Sequence, residues 1–160
     1  MSNNVENRSF LQLIKQMEEG DLKQVWLMRN DPEVVRFSDS NMPVSWEEFE
    51  AVYKYTNYPK LVFKTGSSNE IIGYVEFRND MKDDDQNTKE WAFFIAEAHR
   101  GKGWSEIMLD LAIDWARNKG YTKLRGIVKK DNEASKYLHQ KLGFEIQKEN
   151  NNEITYIFNF

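Results

Sequence analysis

Arg100-Gly101-Lys102-Gly103-Trp104-Ser105 stands directly in front of an amphipathic run. Two glycines let the main chain turn tightly and approach a ligand with no Cβ in the way. A helix that starts there aims its unpaired N–H groups at the turn from the positive end of its macrodipole. Arg100 and Lys102 add two cations beside them. Phosphate oxygens suit such a place. The common nucleotide signatures do not fit. G-x-x-x-x-G-K-[ST] is absent, and a dinucleotide fingerprint starting at Gly101 needs glycine or alanine where Glu106 stands. A basic glycine turn without a ligand is the competing reading.

The elements around the turn follow from periodicity. A first strand is expected over Phe10, Leu11, Leu13 and Ile14, then a helix capped by Asp21 and halted by Asn30-Asp31-Pro32. Ser45 with Glu48 three residues on makes a capping box for a second helix, which Pro59 closes. β-rich runs follow at Leu61 to Phe63 and Ile71 to Phe77, separated by the turn-like Gly66-Ser67-Ser68-Asn69. A polar loop, Asn79 to Lys89, leads to a third run at Trp91 to Ala96. Behind the glycine turn, Trp104, Ile107, Met108, Leu111, Ala112 and Trp115 fall on one helical face, and Gly120 occupies a C′ position. A strand at Ile127-Val128, a helix from Asn132 to Leu142 ending at Gly143, and strands at Phe144 to Ile146 and Ile154 to Phe158 complete the chain. This is one α/β or α+β domain over residues 1–160.

Composition narrows the function. A net charge of -4 gives no broad basic footprint, so neither nucleic acid nor an anionic membrane is the expected partner, and any anion must be held locally. Zero cysteines exclude a disulfide framework, a thiolate metal site and a cysteine nucleophile. Two scattered histidines offer no metal constellation. The polar start, Met1-Ser2-Asn3-Asn4, and the lack of a long apolar run make a cytoplasmic protein the expectation.

A second segment makes the glycine turn specific. Asp131 to Phe144, DNEASKYLHQKLGF, follows a strand about thirty residues downstream. The first segment resembles [RQ]-x-x-G-x-[GA] and the second N-x-x-[AS]-x-x-L-Y-x-x-x-G-F, through Asn132, Ser135, Leu138, His139, Gly143 and Phe144. Together these resemble the two signature segments of the GNAT superfamily of acyl-CoA N-acetyltransferases, over residues 70 to 146 and, by element order alone, the N-terminal third. The resemblance implies a mixed, mostly antiparallel sheet flanked by helices and splayed at the acyl-CoA site. It also implies acetyl-CoA as cosubstrate, with Arg100, Gly101, Lys102, Gly103, Trp104, Ser105, Asn132 and Ser135 around it and the backbone of Phe94 and Ile95 beside the thioester. Ser105 departs from the family's glycine or alanine, and His139 from its tyrosine.

Direct transfer from the thioester to a primary amine needs a base, support for the carbonyl oxygen and a route for the departing thiolate. By resemblance Glu90 is the first candidate base and Glu76 the second; Ile127 occupies the position where some relatives place one. A solvated strand-end carboxylate is the competing reading of Glu90. His139 takes the position of the family's general acid, with a half-exposed helix histidine as the alternative, and Tyr137 is expected in the core. His99 is expected to serve the turn or the surface.

The acceptor is open between a small molecule, such as an aminosugar or polyamine, and a protein amine. The early helices of the family wall that site, so Trp26, Arg29, Phe37 and Trp46 are candidates to shape it. Met28 to Val34, MRNDPEV, resembles ribosomal-protein alanine and nucleotide-linked aminosugar acetyltransferases, and the overall layout leans to the second group. The acidic loop Asp80 to Asp85 is either an attractor for cationic acceptors or a solvated charge run. A module that binds acyl-CoA without turnover is the alternative function, kept open by His139. The family often dimerises, and Ile154, Tyr156, Ile157, Phe158 and Phe160 offer apolar material for a homodimer or for the protomer's own core.

Overall fold

The computed structural model describes residues 12–66, 69–80 and 85–160. The expected contributions of Phe10 and Leu11 to the first strand, of Ser67 and Ser68 to a turn, and of Met81 to Asp84 to the acidic loop lie outside the described residues.

Among the described residues seven strands form one sheet: β1 (Gln12–Gln16), β2 (Lys60–Thr65), β3 (Ile71–Asn79), β4 (Thr88–Ile95), β5 (Lys123–Lys129), β6 (Glu145–Glu149) and β7 (Glu153–Asn159). Their spatial order is β1-β2-β3-β4-β5-β7-β6. Every neighbouring pair is antiparallel except β4 and β5. A parallel pair needs a crossover, and the long helix behind the glycine turn supplies it. The helices are α1 (Leu22–Arg29), α2 (Pro32–Phe37), α3 (Trp46–Tyr55), α4 (Trp104–Asn118) and α5 (Glu133–Lys141).

The two faces of the sheet carry separate cores. α4 buries Met108, Leu109, Ala112, Ile113 and Ala116 against Leu61, Phe63, Val75, Phe77 and Trp91, and Leu138 of α5 and Phe144 just after it extend this layer. On the other face Leu22 and Val25 of α1 and Trp46 and Phe49 of α3 pack on Val62, Ile71, Tyr74 and Phe94. Each large apolar side chain removed from water in these layers contributes about 2 kcal/mol before the cost of ordering the chain. Because both faces are covered, β2 is buried from Lys60 to Lys64 and β3 from Ile71 to Val75.

Local chemistry sets the helix ends, with one departure from expectation, at Asp21. Ser45 Oγ accepts from Glu48 N at 3.2 Å, as the capping signal predicts. Asp21 does not cap α1: its carboxylate accepts from Glu18 N at 3.0 Å and pairs with buried Lys64 at 2.9 Å. Asn30-Asp31-Pro32 halts α1 at Arg29 as expected, and Pro32 also opens α2 at its first position, a helix the sequence pattern does not announce, with Asp31 Oδ1 accepting from Glu33 N at 2.9 Å.

Candidate active site

β4 and β5 pair only over Thr88–Lys123, Lys89–Leu124 and Glu90–Arg125. Beyond that point β4 continues to follow β3 as far as Ile95, while β5 follows β7 to Lys129. The sheet therefore opens between them. Ala96 N donates to Ile72 O of β3 at 2.8 Å, so alternation along the strand turns the N–H and C=O of Ile95 and Phe93 into the opening and those of Phe94 toward β3. Of the two backbones expected here, Ile95 edges the gap and Phe94 does not. Phe93 was missed by the sequence reading.

The glycine turn lies at the wide end of this gap. Gly101 and Gly103 have φ of 74° and 80°, and a Cβ at either would meet nothing within 4 Å. Left-handed backbone, not crowding, is what requires glycine there. No side chain caps α4, whose N-cap is Gly103. Trp104 turns its ring into the core against Phe63, 6.0 Å between centroids, and Ser105 is half-buried. Arg100 braces the turn: Nε donates to Ile95 O at 3.2 Å and NH2 lies 3.4 Å from Asp31 Oδ2. Lys102 Nζ folds back to Ala98 O at 3.1 Å, and His99 pairs with Glu70 at 2.9 Å.

At the narrow end, the position expected for a general acid holds a buried strut. His139 is 1% exposed. Its Nε2 accepts from Trp91 Nε1 at 3.0 Å, and its Nδ1 lies 2.8 Å from Ser135 O, which fixes the neutral tautomer with the proton on Nδ1. Desolvation pulls the imidazole pKa down to about 4, against the opposing pull of the Ser135 carbonyl. A second proton, on Nε2, would face the indole N–H. This geometry corrects the expectation of a proton donor to sulfur, because neither ring nitrogen is presented to the gap. Tyr137, expected in the core, is 59% exposed instead. Asn132 Oδ1 caps α5 through Ser135 N at 3.2 Å, and Ser135 Oγ lies 3.4 Å from His139 Nδ1.

Glu90 projects on the opposite face, under α1 to α3, where the strand alternation aligns it with Phe94 and with Tyr74, Glu76 and Arg78 of β3. Arg78 sits among three carboxylates: Nε is 3.2 Å from Glu76, NH2 3.6 Å from Glu90 and NH1 3.6 Å from Asp39. Tyr74 donates its phenolic O–H to Glu76 Oε1 at 3.2 Å. Burial raises the Glu76 pKa, with Arg78, Tyr74 and Lys60 only partly opposing it. Tyr58, pushed up to about 12 by burial and by the Glu76 charge, belongs to the same cluster. The signal for this cluster was the polar triplet Tyr74, Glu76, Arg78 at every second position of an otherwise apolar strand.

The loop between α2 and α3 closes this side. Val44 O accepts from Trp26 Nε1 at 2.7 Å and from Asn30 Nδ2 at 2.8 Å, while Trp26 and Trp46 meet edge to face at 5.6 Å. Lys129 of β5 reaches across to Ser38 O at 2.7 Å and to the side-chain oxygen of Asn41. Arg36 lies over the Phe37 ring at 4.8 Å. Among the described residues no group of His, Asp and Glu is placed to hold a metal ion, and no helix is long and apolar enough to cross a membrane.

The architecture and the sequence have known counterparts. The model of the acetyltransferase (GNAT) family matches residues 13–144. The chain is 30% identical over 110 residues to the L-amino acid N-acyltransferase MnaT of Escherichia coli, covering 68% of this chain and 60% of that protein. It is 32% identical over 91 residues to the L-methionine sulfoximine/L-methionine sulfone acetyltransferase of Pseudomonas aeruginosa, covering 56% and 52%. The matches thus span little more than half the length of these curated relatives. The fold superposes on spermidine N-acetyltransferase from Vibrio cholerae, solved with CoA and spermine, with a TM-score of 0.81 at 19% identity over 93% of this chain and 95% of that one.

Proposed function

Because the chain belongs to the acetyltransferase (GNAT) family, we propose that it transfers an acetyl group from acetyl-CoA directly to a primary amine. The observation that carries this reading is the opening of the sheet beyond Glu90 and Arg125, edged by the Ile95 backbone and ending at the uncapped start of α4. The relatives' names, an amino acid acyltransferase and a methionine sulfoximine acetyltransferase, support an amine acceptor of small size.

The residues present suit acetyl-CoA. The amides of Gly101, Gly103 and Ser105 offer donors to a pyrophosphate at the positive end of α4. The N–H groups of Phe93 and Ile95 face the gap, where one of them donates to the thioester oxygen as charge grows on it. When bound, the cosubstrate supplies an acyl carbon activated by a good thiolate leaving group.

The acceptor side needs a base. Glu76 is our first candidate, since burial raises its affinity for a proton toward the working range, and Glu90, on the same guanidinium, is the second. The ammonium first gives one proton to the base, directly or through water. The amine then attacks the carbonyl carbon, the C–N bond forms, the C–S bond breaks, and the second amine proton leaves with the thiolate to give free CoA thiol. His139 holds the gap's narrow end in this scheme and exchanges no proton with substrate.

Free thiol release from acetyl-CoA in the presence of pooled amines tests the reading. With zero cysteines the protein adds no thiol background. Amine-dependent release establishes the transferase. Acetyl-CoA binding without release to any amine replaces it with a binding module.

A further inference from the structure

The charged cluster around the candidate base carries both signs of charge in equal number. Arg29, Lys60 and Arg78 stand against Asp39, Glu76 and Glu90. The three cations are not in equal circumstances. Arg78 is taken up by its three carboxylates. Lys60 donates to Tyr58 O at 3.1 Å and Thr56 O at 3.4 Å, with its ammonium 3.7 Å above the Tyr58 ring. Arg29 is half-buried, and its hydrogen bond is a long one, NH1 to Met42 O at 3.4 Å. Among the described residues no carboxylate lies within ion-pair distance of it, although Glu76 and Asp39 are near enough to act on its charge. A half-desolvated guanidinium with most of its planar fork unspent is suited to a carboxylate from outside the chain.

Its place in the fold sets that fork near the candidate base. Arg29 ends α1, and its Met42 contact belongs to the same loop that sends Asp39 to Arg78. Arg78 in turn holds Glu76 and Glu90 on the sheet face beside the gap. One cation with unspent donors and one buried carboxylate therefore stand near enough for the charge of one to act on the other, a cation for an anionic group and a base for an amine.

We infer that the acceptor is a small α-amino acid or a zwitterion like it, its carboxylate bound by Arg29 and its amine presented to Glu76. This rests on the transferase reading of the same site. A polyamine or an aminoglycoside is disfavoured by the same geometry. Each brings several ammonium groups, and a cluster with no net negative charge among its described residues sets some of them beside Arg29 or Arg78. The acceptor-specificity residue is thus Arg29, outside both signature segments.

The experiment compares thiol release from acetyl-CoA with the common L-amino acids, the matching amino acid amides, spermidine and kanamycin, for the wild type, Arg29→Gln and Arg29→Lys. The amides keep the amine and lose the carboxylate charge. In the wild type the best amino acid exceeds its amide by about tenfold or more in kcat/KM, chiefly through KM. In Arg29→Gln the two converge, and Arg29→Lys restores part of the difference. Spermidine, kanamycin or the amides performing as well as the amino acids overturns the inference and leaves the transferase standing, and so does full discrimination retained in Arg29→Gln. No release with any amine overturns the transferase reading and this inference with it.

Discussion

The indole N–H of Trp91 donates to Nε2 of His139 at 3.0 Å beside Gly126, at the residue where β4 and β5 part. Trp91 follows the last paired residue of β4, and Gly126 follows its partner on β5. His139 also stacks on Tyr156 at 4.9 Å and meets Phe144 edge to face at 4.9 Å. The pair is a buried plug at the apex of the gap, where the two strands separate.

This makes His139 a pH-dependent contributor to stability. Its folded pKa of about 4 lies below the unfolded value of 6.5. Between these values the unfolded chain binds more protons than the folded one, so the contribution is complete above pH 6.5 and is lost as pH falls toward 4. The loss approaches about 3 kcal/mol. Urea unfolding from pH 7 to pH 4 should show this slope in the wild type and a shallower one in His139→Gln, whose amide keeps both hydrogen-bonding roles without titrating. Equal slopes would put the imidazole in water.

Gly126 is fixed by the same contact. A Cβ there would overlap His139 Nε2 and come within 2.9 Å of Cδ2 and 3.0 Å of Trp91 Nε1. Gly126→Ala should cost about 3 kcal/mol or more through overpacking. Trimming the obstacle should recover part of that cost, so Gly126→Ala with His139→Ala is expected to be more stable than the sum of the two single losses implies. Additive thermal shifts would show that the alanine is accommodated elsewhere.

The glycine turn, its helix and the capping of α3 were legible because each rests on local chemistry: positive φ, apolar spacing, a serine before a first turn. The α2 helix was not, since the Asn30-Asp31-Pro32 signal does stop α1 while Asp31 and Pro32 at once make the start of the next helix. Tyr137 and His139, two residues apart on α5, point in opposite directions, so one of them must face out. The larger, more apolar ring was expected inside. The structure buries the imidazole instead, because both its nitrogens find partners there. The Glu76, Arg78 and Glu90 cluster depends on the β3–β4 register, a long-range fact that no single segment encodes.

Which carboxylate takes the proton is decided by the acidic limb of the pH–rate profile. A base must be ionised, so the rate falls as pH drops through its pKa. Burial places that limb above the ordinary glutamate range if Glu76 is the base. Glu76→Gln should then remove the limb and lower kcat by about a hundredfold. Glu90→Gln should keep the limb and move it to lower pH, because Arg78 loses a competing anion and holds the Glu76 carboxylate more strongly. The reverse pattern, with Glu90→Gln abolishing the limb, assigns the base to Glu90.

Arg100 separates two ways a signature residue can serve the cosubstrate. Its guanidinium spans Ile95 O and Asp31, so it ties the glycine turn to the strand before it and to the start of α2. If this bracing is its contribution, Arg100→Ala should raise KM for acetyl-CoA by a loosened turn, about threefold to tenfold, and Arg100→Lys should do nearly the same because an ammonium cannot hold both partners as a planar fork does. Asp31→Asn supplies the control, since asparagine still caps α2 while removing the ion pair. The exposed side of this pair limits its own worth to about 1 kcal/mol. In the Asp31→Asn background Arg100→Ala should then cost visibly less than in the wild type. A direct bond from Arg100 to the pyrophosphate makes the opposite forecast: Arg100→Lys retains affinity as a point charge, and the cost of Arg100→Ala is the same whether residue 31 is aspartate or asparagine. Steady-state KM for acetyl-CoA across these five proteins distinguishes the two.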